Sequence, residues 1–204
     1  MAFLALAPEV EKLLLPLDQV TLPLKVSEVF GRPGPLELEL GVGKGLFAFT
    51  WAAKNPHRNL LGVERSRKYL QLAALRAARA GVSNLRLVHT TGEDLLFRCL
   101  GSQSLAGVHV YFPDPWPKKR HHKRRFFKPG NLNRLAEVMA SGAVLRVKTD
   151  HQGYAQLIAT LVSQDPRFIP LPEEVWFAEI PPTHFETKYL KEGRKIFRFA
   201  WQRC

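Results

Sequence analysis

The sequence predicts an α/β domain in which helices cover both faces of a mostly parallel β-sheet. Three observations indicate this class. From residue 36 onward, short apolar runs alternate with helical patterns, which is typical of β-α-β units. A glycine-rich turn joins the first apolar run to the first of these helices. The chain of 204 residues, with a hydrophobic fraction of 46%, is long enough to bury one substantial core.

The elements follow in order along the chain. Residues 1–25 are expected to form an irregular arm because prolines interrupt their scattered leucines, and residues 26–204 a single domain. Strands are predicted at residues 36–40, 59–64, 85–90, 108–112 and 143–148, with a closing strand pair at 175–180 and 195–203. Four helices are predicted. The first covers residues 46–54, and the second has Leu70, Ala73, Ala74 and Ala77 on one face and ends at Gly81. The third is marked by Leu132, Leu135, Ala136 and Met139, and the fourth by the apolar stripe Tyr154, Leu157, Ile158, Leu161 and Val162.

The chain carries a large excess of positive charge. Its 30 lysines and arginines against 18 acidic residues give a net charge of +12. Half of that excess, six charges of twelve, lies within residues 118–125. Such a balance favours a polyanionic partner, either nucleic acid or an acidic membrane surface. A solvated basic face is the alternative interpretation, and composition does not choose between the two.

Cysteine content and the N-terminal segment predict the cellular compartment. Cys99 and Cys204 form no CxxC pair and no metal-binding spacing, so a reducing compartment is expected. The apolar segment at residues 1–7 lacks a basic flank and is followed by charged residues, which is typical of neither a signal peptide nor a membrane span. We therefore expect a cytoplasmic protein without membrane association.

A glycine-rich turn with nearby acidic residues follows the first predicted strand. Gly41, Gly43 and Gly45 alternate there, which lets the backbone approach a ligand closely and directs helix N–H groups toward it. Glu39 precedes the turn, and Glu64 ends the second strand, where an acid would hold ribose hydroxyls. An acid beside the turn repels a pyrophosphate and attracts a cation. The pattern therefore favours S-adenosylmethionine, with its sulfonium and ammonium groups, over a dinucleotide.

Residues 111–125, with the sequence YFPDPWPKKRHHKRR, form the most distinctive stretch of the chain. Three prolines within five residues prevent both sheet and helix, so a stiff, extended loop is predicted that presents Asp114 and Trp116. A run of lysines, arginines and histidines follows directly. Such a run is normally disordered, but here it lies between a buried strand and a helical segment. The stretch therefore predicts a reaction site with a nucleic-acid-binding surface at its rim.

Together these motifs resemble the bacterial tRNA (guanine-N7)-methyltransferases, a class I family of S-adenosylmethionine-dependent enzymes. The resemblance spans about residues 26–204 and is carried by E-x-G-x-G-x-G at residues 39–45, FPDPW-x-K-x-R-H-x-K-R-R at 112–125, and T-x-[FY]-E-x-K at 183–188. It implies a Rossmann-like fold with an antiparallel C-terminal strand. It also implies methyl transfer from S-adenosylmethionine to N7 of a guanine in the variable loop of tRNA, with no metal and no obligate protein partner.

The resemblance implies roles for the positions that match the family motifs. Asp114 would be the catalytic acid beside both cofactor and guanine. The cofactor would be bound by Glu39, Gly41, Gly43, Glu64, Thr91 and Asp114. The target nucleotide would be bound by Lys118, Asp150, Thr183, His184, Phe185 and Glu186. RNA would be bound by Arg120, His121, His122, Lys123, Arg124 and Arg125.

One position departs from the family pattern. The family usually has an aspartate or asparagine beside the adenine, where this chain has Thr91, so either Thr91 or Glu93 is expected to make that contact.

Several residues also have a structural interpretation. We expect the buried carboxylate of Glu37 to pair with a basic neighbour, because an unpaired one is costly. Trp116 either packs under its loop, which we favour, or stacks on a base. Phe185 is either a ligand contact or part of the core. His121 and His122 have no cysteine partners and are interpreted as phosphate donors, not metal ligands.

Three other functions compete with tRNA methylation. Asp114-Pro115-Trp116 faintly resembles the D/N-P-P-[FWY] string of amino-methylating DNA enzymes, but the basic run that follows disfavours that assignment. The chain could instead be a non-catalytic RNA-binding protein with a relic cofactor pocket, which the intact acids and glycines disfavour. An NAD-dependent oxidoreductase is disfavoured by the glycine spacing.

Overall fold

The computed structural model describes residues 7–204, so the first six residues of the predicted arm lie outside the described range. The strands are β1 Leu36–Leu40, β2 Asn59–Glu64, β3 Leu85–His89, β4 Leu105–Tyr111, β5 Met139–Thr149, β6 Phe168–Leu171 and β7 Phe197–Arg203. The α-helices are α1 Pro8–Glu11, α2 Val26–Phe30, α3 Leu46–Lys54, α4 Arg67–Arg79, α5 Gly92–Asp94, α6 Pro129–Val138, α7 Gln152–Ser163, α8 Glu173–Trp176 and α9 His184–Lys191. Tighter or wider helical turns cover Leu17–Gln19, Leu95–Cys99 and Lys119–Arg124.

One seven-stranded sheet organises the domain, in the order β3-β2-β1-β4-β5-β7-β6. Neighbouring strands from β3 to β5 are parallel, whereas β7 runs antiparallel to both β5 and β6. The predicted mostly parallel sheet with an antiparallel C-terminal strand is confirmed. Strand order reverses between β1 and β4, and ligands of open α/β sheets bind in the crevice at such a switch point.

The sheet is buried on both faces by helices, as the sequence predicts. Alternate residues of β1 point to opposite faces. Leu36, Leu38 and Leu40 join the cluster that includes side chains of α6 and α7. The second cluster, on the other face, contains side chains of α3 and α4. Glu37 and Glu39 alternate with those leucines and are therefore directed toward the α3 side.

Two predictions about the elements are wrong. Residues 175–180 do not form a strand: Val175 lies in α8 and is 68% exposed, and β6 is the strand that pairs with β7 on the side away from β5. Pro172 and the acidic residues Glu173 and Glu174 favour a helix N-terminus at this place. Met139 does not end α6 but begins β5 opposite Leu105, because an apolar residue at this boundary is equally well buried in either element.

The described part of the predicted arm covers the edge of the sheet. Leu87 in β3 donates a backbone hydrogen bond to Leu13 and accepts one from Leu15, at 2.7 and 2.9 Å. Val10 and Leu13 are buried in the cluster that contains α3 and α4. An edge strand with unpaired backbone groups is prone to association, and this segment pairs it. The division of the chain at residue 25 stays a prediction.

Candidate functional site

Three adjoining cavities open at the carboxyl ends of the central strands, β1, β4 and β5. The main cleft, of about 570 Å³, lies between the turn after β1 and the loop after β4. It is lined by residues that include Gly41, Gly43, Glu64, Thr91, Asp114 and Trp116. The inner pocket, of about 220 Å³, is lined by residues that include Glu39, Gly43, Tyr111, Thr183 and His184. The side pocket, of about 630 Å³, is lined by residues that include Asp114, Asp150, Phe185, Tyr189 and Arg194.

The glycine turn has a backbone conformation that residues with a side chain rarely adopt. Gly41, Gly43 and Gly45 all have positive φ, between 55° and 84°, where any other residue would be strained. At Gly45 a Cβ atom would also lie 2.7 Å from the Cβ of Ala73, so glycine lets α3 and α4 pack closely. The Gly43 N–H donates to the Glu64 carboxylate at 2.9 Å, and the Ser66 N–H donates to its other oxygen at 2.8 Å. Glu64 therefore shapes the turn and keeps lone pairs free for hydroxyl donors.

Glu39 is the buried carboxylate of the site. Its side chain is 2% exposed and lines the inner pocket, and its Oε2 has no hydrogen-bond partner within residues 7–204. Burial, reinforced by the charge of Glu64, raises the pKa of Glu39 to about 8. A buried polar atom without a partner is costly, and a cation against it would favour the ionised form. Glu39 therefore fits a ligand that carries an ammonium group.

We expect the affinity for a ligand with an ammonium group, such as the predicted cofactor S-adenosylmethionine, to rise with pH in a way that depends on Glu39. The carboxyl is protonated below pH 8 without a cation, so binding an ammonium group releases its proton. Affinity should therefore increase by up to about tenfold per pH unit between about pH 6 and 7.5, below the titration of an α-amino group. Calorimetry across this range would test it. Glu39→Gln should bind more weakly and show a flat profile, and a wild-type-like slope in that variant would contradict the assignment.

Glu37 pairs with a basic neighbour, as predicted. Its carboxylate accepts hydrogen bonds from Arg58 at 2.6 Å, from Trp51 Nε1 at 2.8 Å and from His109 Nε2 at 2.8 Å. Burial alone would raise its pKa, but the hydrogen bond from His109 and the charge of Arg58 lower it to about 2. The Nδ1 atom of His109 then accepts from the Tyr111 hydroxyl at 2.8 Å. This network lies beneath the site and orients Tyr111.

The loop after β4 presents Asp114 where two cavities meet. Phe112 and Trp116 both have positive φ, 53° and 43°, so the chain turns sharply on each side of Asp114. The Asp114 carboxylate is 65% exposed, lines both the main cleft and the side pocket, and lies 3.6 Å from Arg65. A group bound in the side pocket and one bound in the main cleft would both contact it.

The segment with the third motif closes the inner and side pockets. Thr183 caps α9 by accepting the Glu186 N–H at 3.0 Å, and Arg76 hydrogen-bonds His184 Nε2 at 2.6 Å. Phe185 is 48% exposed and lines all three cavities. The alternative that Phe185 belongs to the core is therefore wrong. In the side pocket, Asp150 accepts a hydrogen bond from Arg194 at 2.9 Å.

Glu186 is placed differently from the neighbouring motif residues. Its carboxylate is buried and accepts hydrogen bonds from Lys148 at 2.7 Å and from Arg198 at 3.0 Å. It lines none of the three cavities. Burial lowers the pKa of Lys148, and the Glu186 carboxylate opposes that shift. In this arrangement Glu186 fastens α9 to β5 and β7, and its predicted contact with the nucleotide stays a prediction.

The basic run forms a short 3₁₀ helix at the rim of the main cleft. Its cationic side chains at 118, 119, 120, 123 and 124 are exposed, and so is His122. The Arg124 guanidinium lies over the Trp116 ring at 4.9 Å, with His121 against the ring edge. Trp116 is half-buried and lines the cleft. Arg125 is buried, with only 6% of it exposed, whereas its predicted role in RNA binding requires an exposed side chain.

The position expected to contact adenine holds two polar side chains. Thr91 and Glu93 both line the main cleft. The Thr91 hydroxyl donates to Asp94 at 2.8 Å, and Glu93 accepts from Asn131 at 3.3 Å and lies 3.5 Å from Lys128. Both assignments stay predictions.

Sequence reasoning missed several residues that line the site, among them Tyr69, Arg65 and Tyr111. Tyr69 is 42% exposed and faces both the main cleft and the inner pocket from the first turn of α4. Arg65 lies against Asp114, and Tyr111 forms the floor between the two cavities. Arg65 and Tyr69 follow closely after Glu64 in the sequence, and this nearness to a predicted ligand-binding acid was the signal that could have identified them. From the sequence alone, Tyr111 cannot be distinguished from a core residue of a buried strand.

Two further features of the described residues concern metal ions and membranes. Within residues 7–204, no group of histidine, cysteine, aspartate and glutamate side chains is arranged to hold a metal ion. Over the same residues, every helix is too short or too polar to cross a membrane.

Comparison with solved structures defines the fold, and a family model defines the class of protein. The 16S rRNA methyltransferase KamB superposes with a TM-score of 0.63 over 87% of this chain and 91% of that one, at 15% identity. An antibiotic-related methyltransferase gives a TM-score of 0.57 over 90% and 96%, at 18% identity. A family model described as "Putative methyltransferase" matches residues 33–199. The protein is therefore a methyltransferase with a Rossmann-like fold.

Curated relatives define the family more closely. A protein of Mycobacterium avium (strain 104) is 40% identical over 185 residues, which cover 89% of this chain and 71% of the relative. One of Nitrosococcus oceani is 35% identical over 187 residues, covering 92% and 79%. Both are named tRNA (guanine-N(7)-)-methyltransferase. The chain belongs to this family, as its motifs predict.

Proposed function

We propose that this enzyme transfers a methyl group from S-adenosylmethionine to N7 of a guanine in the variable loop of tRNA, forming 7-methylguanosine. The position of Asp114 carries the proposal, because its carboxylate lines both the main cleft and the side pocket. One cavity can hold the methyl donor and the other the base, with Asp114 between them. The names of the relatives support tRNA as the substrate. With that substrate we expect the enzyme to act in the cytoplasm.

The residues of the main cleft and inner pocket fit S-adenosylmethionine. When bound, this cofactor supplies a methyl group on a positively charged sulfur. Glu39 would pair with its ammonium group, because its buried Oε2 has no partner among the described residues. The turn at Gly41 and Gly43 allows close backbone approach, and Glu64 would accept from ribose hydroxyls.

For methyl transfer to guanine, the protein has to align the base with the methyl group and to stabilise the positive charge that develops on the base. N7 carries a lone pair and no proton, so its attack on a methyl group needs no general base. The residues of the side pocket would hold the base in line and exclude water. Positive charge moves onto the imidazole ring of guanine during transfer, and the Asp114 carboxylate would stabilise it or fix the pose of the base. Asp150 would accept hydrogen bonds from guanine N–H groups.

The basic run is proposed to bind the tRNA backbone, and we expect affinity to fall steeply with added salt. The triple variant Lys119→Ala/Arg120→Ala/Lys123→Ala should lower the slope of log affinity against log salt by roughly 0.7–0.9 for each phosphate that the variant no longer neutralises. Filter binding between low and moderate salt would measure it. Lys54→Ala, at the far end of α3 from the glycine turn, is the control and should leave the slope unchanged. A salt-insensitive wild-type affinity would refute this model.

Methyl transfer to unmodified tRNA transcripts tests the proposed function. Labelled S-adenosylmethionine reports incorporation, and borohydride–aniline cleavage maps 7-methylguanine. Cleavage at one variable-loop guanine is the expected result. Incorporation without cleavage would move the target to another atom. Bound tRNA without incorporation would favour the alternative, a non-catalytic RNA-binding protein with a relic pocket, which the family assignment does not favour.

A further inference from the structure

We propose that Arg125 is a positioning residue that holds the loop with Asp114, and not one of the RNA-binding residues among which its sequence places it. The inference rests on the proposed function for its catalytic consequence. Its structural part concerns the loop at residues 113–117 alone. Arg125 ends the run of basic residues, yet it is 6% exposed whereas Lys123 and Arg124 beside it are exposed. A phosphate group in solution cannot reach a guanidinium that the protein covers.

The buried guanidinium of Arg125 makes two contacts with the protein. Its Nε atom donates to the carbonyl of Pro115 at 2.7 Å, one residue after Asp114. Its guanidinium carbon lies 4.9 Å from the centre of the Tyr154 ring, in a cation–π arrangement. No carboxylate within residues 7–204 forms an ion pair with it. A buried cation without an acid is costly, so these two contacts explain the position of the side chain.

The loop around Asp114 needs an external support because it has little of its own. Pro113, Pro115 and Pro117 have no N–H group, so the loop cannot be held by a backbone ladder. Within the described residues, the bond from Arg125 is the only hydrogen bond to the backbone of residues 113–117. Phe112 before them is held by its N–H, which donates to Lys148 at 2.7 Å. Arg125 therefore supports the part of the loop that bears the catalytic carboxylate.

Tyr154, which Arg125 contacts on the side away from the loop, is held firmly in the fold. Tyr154 is fully buried in the first turn of α7, and its hydroxyl accepts the Phe127 N–H at 3.2 Å. Helix α7 begins just after Asp150, which lines the side pocket with Asp114. Arg125 thus connects the loop of Asp114 to the helix that follows Asp150. Its planar guanidinium donates in a fixed direction while its face covers the Tyr154 ring, a geometry that the point charge of a lysine on its flexible stem does not reproduce.

The test compares Arg125→Lys, which keeps the positive charge, with Lys123→Ala in the same run. We expect Arg125→Lys to lower kcat by roughly tenfold to a hundredfold, because a misplaced reacting group has effects of this size. Its tRNA affinity and salt slope should stay those of the wild type. Lys123→Ala should instead weaken tRNA binding and lower the salt slope by about 0.7–0.9. A lowered slope with unchanged kcat in an Arg125→Ala variant would overturn the proposal.

Two further measurements keep the inference separate from folding defects and from the proposed function. Tyr154→Leu removes the aromatic contact without altering the basic run, and it should reproduce the loss of kcat at wild-type tRNA affinity. Tyr154→Phe also removes the hydroxyl that accepts from Phe127 but keeps the ring under Arg125, so it should retain kcat. NMR order parameters of the Asp114 and Trp116 N–H groups should be lower in Arg125→Lys than in the wild type, whether or not tRNA is the substrate. Unchanged order parameters would overturn the positioning role. Absence of N7 methylation by the wild type would instead refute the proposed function.

Discussion

Replacing Asp114 with alanine is expected to lower the turnover number by about a hundredfold or more, as removal of a group that stabilises transition-state charge does. Positive charge develops on guanine during the reaction, and Asp114 is the exposed carboxylate shared by the main cleft and the side pocket. Affinity for tRNA should change by less than about twofold, because the phosphate contacts lie elsewhere. Single-turnover kinetics and filter binding measure the two quantities separately.

Asp114→Asn distinguishes the two tasks proposed for this side chain. Asparagine keeps an oxygen that accepts hydrogen bonds but carries no charge. If the carboxylate stabilises charge, Asp114→Asn should be nearly as slow as Asp114→Ala. If it fixes the pose of guanine, asparagine should restore part of the rate. Equal losses of turnover and of tRNA affinity in Asp114→Ala would refute the assignment, since that result is expected of a binding residue.

The second large effect is expected for stability, at the buried pair of Glu186 and Lys148. Glu186→Gln leaves the Lys148 ammonium buried without a carboxylate, which should lower the free energy of unfolding by about 3 kcal/mol. For a chain of this length that corresponds to roughly 6–12 °C in Tm. Thermal and denaturant unfolding would measure the change.

Replacement of the other partner of the pair, Lys148, is the matched control. Lys148→Met removes the cation but leaves Glu186 paired with Arg198, so it should cost less than Glu186→Gln. The double variant should recover part of the stability that Glu186→Gln removes, because it no longer buries an unpaired charge. If Glu186→Gln retains full stability and weakens only the affinity for tRNA, Glu186 is a nucleotide contact as the family motif implies, and its structural role is refuted.

Local patterns in the sequence were sufficient for most of the sheet and for the outline of the site. The bounds of β1, α3 and β2 agree residue for residue with the predictions. These elements are short, and their ends are marked by residues with strong local preferences, such as the glycines after Leu40. The strand predicted at residues 175–180 shows the limit of this reasoning. An apolar run is compatible with a strand, but only a free sheet edge makes it one, and β6 occupies the edge of β7.

The sequence by itself determined the class of fold, the glycine turn with its acids, and the family. These features depend on residues close together in the chain, where spacing and turn chemistry limit the possible structures. Only the tertiary structure decided that Phe185 faces the cavities, that Glu186 is paired with Lys148, and that Arg125 is buried against Tyr154. The physical reason is that burial and charge pairing depend on contacts between residues about 30 or more positions apart, which spacing along the chain does not specify.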